Sequence, residues 1–191
     1  LDCITISKKQ LEFAKKRIFN AGLNEKVDIK FLDYRDVKGQ YDSITSIEMI
    51  EAVGEKYLNK YFSMIKNNLR PGGTGAIQAI IIKDELFDQY RKSEDFIQKY
   101  IFPGGFLPSL QSIKEHTKNS GLQLTEYNSY GMHYSNTLKK WRENFINSWS
   151  DISKQGFDQS FKKIWDFYFS YCEAGFKAKN IDLIQFSICN K

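Results

Sequence analysis

The stretch GAIQAIII, residues 75–82, constrains the fold more than any other part of the chain. A near-continuous apolar run that follows the turn formers Pro71, Gly72 and Gly73 reads as a strand covered on both faces, and such a strand needs a helical layer above and below its sheet. The segments before it supply that architecture. LDCITI reads as a short strand. SKKQLEFAKKRIFNAGL reads as a helix with Leu11, Ala14, Ile18 and Ala21 on its apolar face, Ser7 and Gln10 at capping-box spacing, and Gly22 as its stop. VDIKFL puts Val27, Ile29 and Phe31 on one face, the alternation of a strand with one wet side. DSITSI is a further strand whose end carries polar residues, and KYLNKYFSMIKNNL is a helix closed by Pro-Gly-Gly. This alternation predicts an α/β fold with a doubly wound parallel sheet.

The second half departs from it. Residues 96–110, FIQKYIFPGGFLPSL, combine two prolines and two adjacent glycines with Phe96, Ile97, Tyr100, Ile101, Phe102, Phe106 and Leu107. Turn-rich segments are usually polar because they run through water. Two readings stand for a greasy one: it faces an apolar ligand, or it covers an apolar edge of the sheet. A helix then follows around Ser109 to Ser120, and a strand at 122–130. Two amphipathic helices come next, one stacking Leu138, Trp141, Phe145 and Trp149, the other Phe161, Ile164, Trp165, Tyr168 and Cys172. IDLIQFSICN closes the chain as a strand. With no repeat, low-complexity tract or linker, residues 1–191 read as one domain with a helical pair at 134–177 inserted before the last strand.

Aromatics make up 15% of the residues, which favours a packed fold over disorder. The net charge is +5 with the lysines scattered, the pattern of a solvated surface. It points to no nucleic-acid partner and allows weak attraction to anionic lipid. Cys3, Cys172 and Cys189 form no CxxC and only two histidines exist, which argues against a metal site. An odd cysteine count without framework spacing suits a reducing cytoplasm. No run approaches the roughly 20 apolar residues of a membrane span.

Open α/β sheets bind ligands at the carboxyl ends of their strands. Three groups of candidates stand there: Thr5, Ile6, Ser7 and Gln10; Asp33, Tyr34, Arg35 and Asp36; Glu48 and Glu51. Each also has a purely structural reading. Ser7 and Gln10 cap a helix, DYRD is a solvated turn, and Glu51 suits a helix start through the helix dipole. PGGTG precedes a strand and so is a turn, not a phosphate-binding loop. His133 has no triad partners nearby in sequence.

SIEMIEAVGEKY, FIQKYIFPGGFLPS, HYSNTLKKWRENF and YCEAGFKAKNIDLIQFS resemble the cyclopropane-fatty-acyl-phospholipid synthases and the related mycolic acid cyclopropane synthases over essentially the whole chain. The resemblance implies a Rossmann-like, seven-stranded S-adenosylmethionine-dependent methyltransferase fold. It also implies that a strand, a glycine-rich cofactor loop and a helix stand before the position of Leu1, with a site cysteine further upstream; Cys3 is not that cysteine. On this reading the chain is the C-terminal part of an enzyme. The strand that LDCITI and DSITSI would share lies outside it, so both lose a pairing partner.

Position by position, the resemblance places Thr5, Ile6, Ser7 and Gln10 near the adenosine and ribose of S-adenosylmethionine. It makes Asp33, Tyr34 and Arg35 the adenine-side turn, with Tyr34 an aromatic wall, and sets Ile47 beside the cofactor. Glu51 and Tyr168 match residues that hold a bicarbonate ion. Gln78 stands where many members carry a histidine, which puts that site in question, although a glutamine also donates to anions.

The implied reaction adds a methylene across the cis double bond of an unsaturated phospholipid acyl chain at the inner face of the membrane. Methyl transfer leaves a carbocation, aromatic faces stabilise it, and bicarbonate removes a proton as a cyclopropane closes. Residues 96–110 and the helical pair at 134–177 would cover the acyl chain. The alternatives are a methyl- or methylene-branched product, a methyltransferase of small soluble molecules, and a non-catalytic remnant. The oligomeric state is open, a homodimer included.

Overall fold

The computed structural model describes all residues, Leu1–Lys191. Strand β1 (Asp2–Thr5) leads into α1 (Lys8–Asn20), and β2 (Asp28–Phe31) returns parallel to β1 with Cys3 opposite Ile29. β3 (Tyr41–Ile47) is followed by two 3-10 turns, α2 (Leu58–Asn68) and the parallel neighbour β4 (Leu69–Ile82). α3 (Asp84–Tyr90), α4 (Phe96–Tyr100) and α5 (Leu110–Asn119) lead to β5 (Gln123–Ser129). α6 (Gly131–Asn147), α7 (Trp149–Ser153) and α8 (Gln159–Lys177) form the helical insertion, and β6 (Ile181–Cys189) closes the sheet.

The strands form two sheets, β1-β2 and β3-β4-β6-β5. β6 runs antiparallel to both β4 and β5. The sheet is therefore mixed, not wholly parallel as the alternation predicts, because the helical insertion returns the chain so that β6 re-enters between its neighbours in the opposite sense. β1 and β3 do not pair, so each has a backbone partner on one edge alone. A side chain links them instead: the Tyr41 hydroxyl donates to Asp2 Oδ2 at 3.0 Å.

The main core lies under one face of the larger sheet. α2 places Leu58, Tyr61, Phe62 and Ile65 at i, i+3, i+4 and i+7, all at most 1% exposed, against Ile77, Ala79 and Ile81 of β4 and Phe186 and Ile188 of β6. Each such large side chain contributes about 2–3 kcal/mol by leaving water. A second core, under the helical insertion, gathers Leu138, Phe169, Phe176 and Leu183 around Ile80. Phe169 and Phe176 are the deepest residues of α8, whereas the periodicity singled out Trp165, Tyr168 and Cys172, which are half-buried beside them.

Several local expectations change. Residues 75–82 are covered unequally: Gly75, Ile77, Ala79 and Ile81 are buried along one face, while the other runs from exposed Ala76 through half-buried Gln78 and Ile80 to buried Ile82. The helical insertion reaches Ile80 but leaves the start of that face uncovered. Pro71 to Gly73 do not end the helix before a strand. They form a bulge inside β4, between the pairs Tyr41–Leu69 and Ser43–Thr74, with Gly72 at φ 78°. Ser7 caps α1 by accepting from Gln10 N–H, but the Gln10 side chain does not return to close a box; its Oε1 accepts from the Thr5 hydroxyl at 2.7 Å. Val27 is half-buried, Ile29 is buried and Phe31 is 53% exposed. Along α1, Leu11, Ala14 and Ile18 are only half-buried.

Residues 96–110 divide. Phe106 is 7% exposed and packs in the main core against Phe87 and Tyr90, both rings at 5.8 Å. Phe96 meets Phe167 and Tyr171 of α8, and Phe102 meets Tyr168. Asp95 and Gln98 form a capping box at α4, and the Gln98 amide also donates to the Gly105 carbonyl at 3.0 Å, which ties the two ends of the turn together.

Candidate active site

β3 delivers two carboxylates at its carboxyl end. Glu48 follows the strand directly and adopts φ 50°, a conformation uncommon for any residue but glycine. Its N–H donates to the Gln78 carbonyl at 2.9 Å. Its Oε1 accepts from Gln78 Nε2 at 2.7 Å and its Oε2 from the Tyr134 hydroxyl at 3.1 Å. Gln78 is itself oriented by Gln185 of β6, whose amide donates to Gln78 Oε1 at 2.8 Å. Gln78 and Gln185 are register partners, so a polar row crosses β3, β4 and β6 into α6.

Glu51 sits in the 3-10 turn Ile50–Ala52. Its Oε1 accepts from Ile80 N–H at 2.6 Å, and its Oε2 is buried without a partner. Burial pushes the Glu51 carboxyl up to about 7; backbone N–H donors oppose that and the charge of Glu48 adds to it. It is in no ion pair. Its carbonyl accepts from Phe106 N–H at 2.9 Å, which ties the greasy segment to the site.

Tyr134 and Tyr168 face the same place from α6 and α8. Both phenols are pushed well above the usual range, chiefly by burial, with the Glu48 charge contributing to each. Cys172, one turn from Tyr168, is raised to about 12, chiefly by burial, so its thiol stays protonated at neutral pH. Glu48 is the hub of this group: Gln78 and Tyr134 bind its two oxygens, and its charge acts on Glu51 and Tyr168. Glu48 was visible as a polar strand end. Tyr134 was not, since a lone tyrosine on a helix carries no signal of where it points.

The remaining candidates line the carboxyl ends of β1, β2 and β3. Ile6 and Ile47 are 70% and 59% exposed. Thr5 accepts from Ser7 N–H and donates to Gln10. Arg35 grips Asp33 through Nε and a terminal nitrogen, at 2.9 and 2.6 Å, and its hydrogen bonds hold the Asp33 carboxyl down at about 2. Tyr34 packs its ring edge-on against Tyr61 at 6.1 Å. A hollow of about 680 Å³ lies elsewhere, with Asp84, Asp88, Glu115 and His116 in its largely polar wall. It contains none of these residues. Buried, convergent polar groups mark a reaction centre better than hollow size does.

The mycolic acid cyclopropane synthase CmaA1, complexed with SAH and CTAB, superposes with a TM-score of 0.87 at 24% identity, covering 98% of this chain and 68% of that one. The cyclopropane synthase MmaA2 from Mycobacterium tuberculosis matches equally well. The fold is accordingly the Rossmann-like fold of S-adenosylmethionine-dependent methyltransferases. Within that class, the chain belongs to the mycolic acid cyclopropane synthetase family, whose pattern it matches over residues 2–186. It is 42% identical over 186 residues to the tuberculostearic acid methyltransferase UfaA1 of Mycobacterium tuberculosis, covering 97% of this chain and 44% of that protein. It is 33% identical over 182 residues to the cyclopropane-fatty-acyl-phospholipid synthase of Escherichia coli, covering 95% of this chain and 45% of that protein. The chain thus spans less than half the length of these curated relatives. No helix is long and apolar enough to cross a membrane.

Proposed function

We propose that the protein transfers a methyl group from S-adenosylmethionine to the cis double bond of an unsaturated phospholipid acyl chain. The observation that carries this reading is the convergence of two carboxylates, Glu48 and Glu51, with Tyr134 and Tyr168 beside an aromatic segment at the carboxyl ends of β3 and β4.

S-adenosylmethionine, when bound, supplies an electrophilic methyl on a sulfonium. The strand-end rim fits such a group: Ile6 and Ile47 offer open apolar faces, Tyr34 an aromatic edge, and Thr5, Ser7, Gln10, Asp33 and Arg35 hydrogen-bonding groups for a ribose and base. An alkene is a poor nucleophile, so fixing it in line with the methyl carries much of the rate. Residues 96–110 and the helical pair at 134–177 would cover the acyl chain and exclude water, with Phe102 and Tyr168, 6.1 Å apart, flanking the developing cation. Access would be from the cytoplasmic membrane surface, where a net charge of +5 favours anionic lipid.

A cyclopropane is one product of that cation, and a methylene-branched chain, which a later reduction would turn into a methyl branch, is the other. The UfaA1 relative and the engagement of Gln78 with Glu48 favour the branched product. Incubation of the full-length gene product with unsaturated phospholipid vesicles and methyl-labelled S-adenosylmethionine tests the reading. Lipid should gain one labelled carbon, whose position fragmentation reveals; absence of label in lipid overturns it.

A further inference from the structure

We propose that the Glu48 carboxylate, and not a bound bicarbonate ion, accepts the proton this reaction releases. The inference rests on the methyl-transfer reading above and assigns the base within it. Glu48 is held where a base is needed: Gln78 and Tyr134 each bind one of its oxygens, and the polar row behind Gln78 fixes the amide that orients it. Its backbone stays in a conformation that favours glycine, so the surrounding structure maintains a side chain there against local preference.

The same contacts leave a bicarbonate ion badly served. The donor it would use on Gln78 already goes to Glu48. Its nearest neighbours would be the Glu48 carboxylate and Glu51, neither of which is in an ion pair. The free Glu51 Oε2 offers one contact, but a single contact does not offset placing an anion beside the Glu48 carboxylate in a buried site.

The chemistry balances without another reactant. The methyl carbon bonds to one alkene carbon as its bond to sulfur breaks, which leaves the other alkene carbon cationic. If a hydride then shifts from the methylated carbon to that cation, the charge moves beside the methyl group. Glu48 takes a methyl proton, and the C–H electron pair closes the C=CH2 bond. If no hydride shifts, the same proton loss closes the ring.

The test uses the full-length gene product and two readouts. In the first, 13C-labelled bicarbonate is titrated into wild type and into Glu48→Gly, which suits the φ of this position, and its NMR line width is followed. The expected result is no binding at millimolar bicarbonate to wild type and saturable binding to Glu48→Gly. Saturable binding to wild type, or binding to neither, overturns the proposal. In the second, lipid methylation is measured in carbonate-free buffer with and without added bicarbonate. Wild-type kcat should change less than about twofold, Glu48→Gln should lose about 100-fold, and bicarbonate should restore part of the Glu48→Gly activity. A wild type that requires bicarbonate, or a Glu48→Gln variant with unchanged kcat, overturns the assignment. If wild type methylates no lipid under any condition, the parent reading fails, and the bicarbonate titration still decides whether Glu48 occupies the ion's place.

Discussion

The Ile80 N–H donates to Glu51 Oε1 at 2.6 Å, while the other oxygen of the same carboxylate is buried with no partner. One oxygen is anchored to β4 and the other is left to bind a proton. That asymmetry explains why burial wins over the backbone donor and carries the carboxyl up to about 7.

Stability should therefore fall as pH rises through the weakly acidic range. In the unfolded chain Glu51 ionises near 4.5, whereas in the folded protein it stays protonated up to about 7. Between these values the native state binds more protons, so this group's contribution is fully present below pH 4.5 and lost by about pH 7, with a ceiling of about 3 kcal/mol. Urea midpoints of wild type and Glu51→Gln at pH 5 and pH 8 isolate the effect. Wild type should lose more than the variant does.

The two central aromatics of the greasy segment should respond differently to truncation. Phe106→Ala empties a core position and should cost about 3 kcal/mol or more. Phe102→Ala, at a residue 54% exposed, should cost under about 1 kcal/mol. Chemical denaturation of both variants checks this. A stable Phe102→Asp protein that still binds S-adenosylmethionine but no longer methylates lipid would place Phe102 against the acyl chain.

Gly131 opens α6 at a point where no side chain fits. An added Cβ would come within 2.5 Å of Asp182 Oδ1, which accepts from the Gly131 N–H at 2.8 Å, and within 3.2 Å of Phe176. Gly131→Ala should lower stability by about 1–3 kcal/mol and loosen the helical insertion from β6. Thermal melts and near-ultraviolet circular dichroism would register both.

Asn190 holds the bulge in β4. Its side-chain amide donates to the Leu69 carbonyl at 2.6 Å, and its backbone pairs with Gly72 and Gly73. Asn190→Ala leaves a buried carbonyl unpaired, at a cost of about 1–3 kcal/mol. Denaturation midpoints measure it, and amide exchange at Gly72 should speed up.

Most elements could be read from residue pattern, because α1 and β2 carry clean periods and β4 a near-continuous apolar run. The direction of β6 could not, since IDLIQFSICN reads the same whichever way it pairs. The bulge at Pro71 to Gly73 was hidden for a related reason: Pro and Gly signal a break in regular backbone but not whether pairing resumes on the far side. At the site, Glu51 alone looked like a helix-start carboxylate. Only family resemblance gave it chemistry, and only the fold brought Tyr134 and the Gln185–Gln78–Glu48 row to it.

The separate β1-β2 sheet decides how residues 1–191, taken alone, come apart. In β1, α1 and β2 a single side chain, Ile29, is buried, and Tyr41 to Asp2 is a side-chain bridge across a gap without backbone pairing. A unit with so little burial opens on its own, at a free energy well below that of the two cores. Heating this chain should therefore give two transitions of unequal cooperativity, and a single melting temperature would report α2, the larger sheet and the helical insertion while saying almost nothing of the strand ends proposed to meet the cofactor.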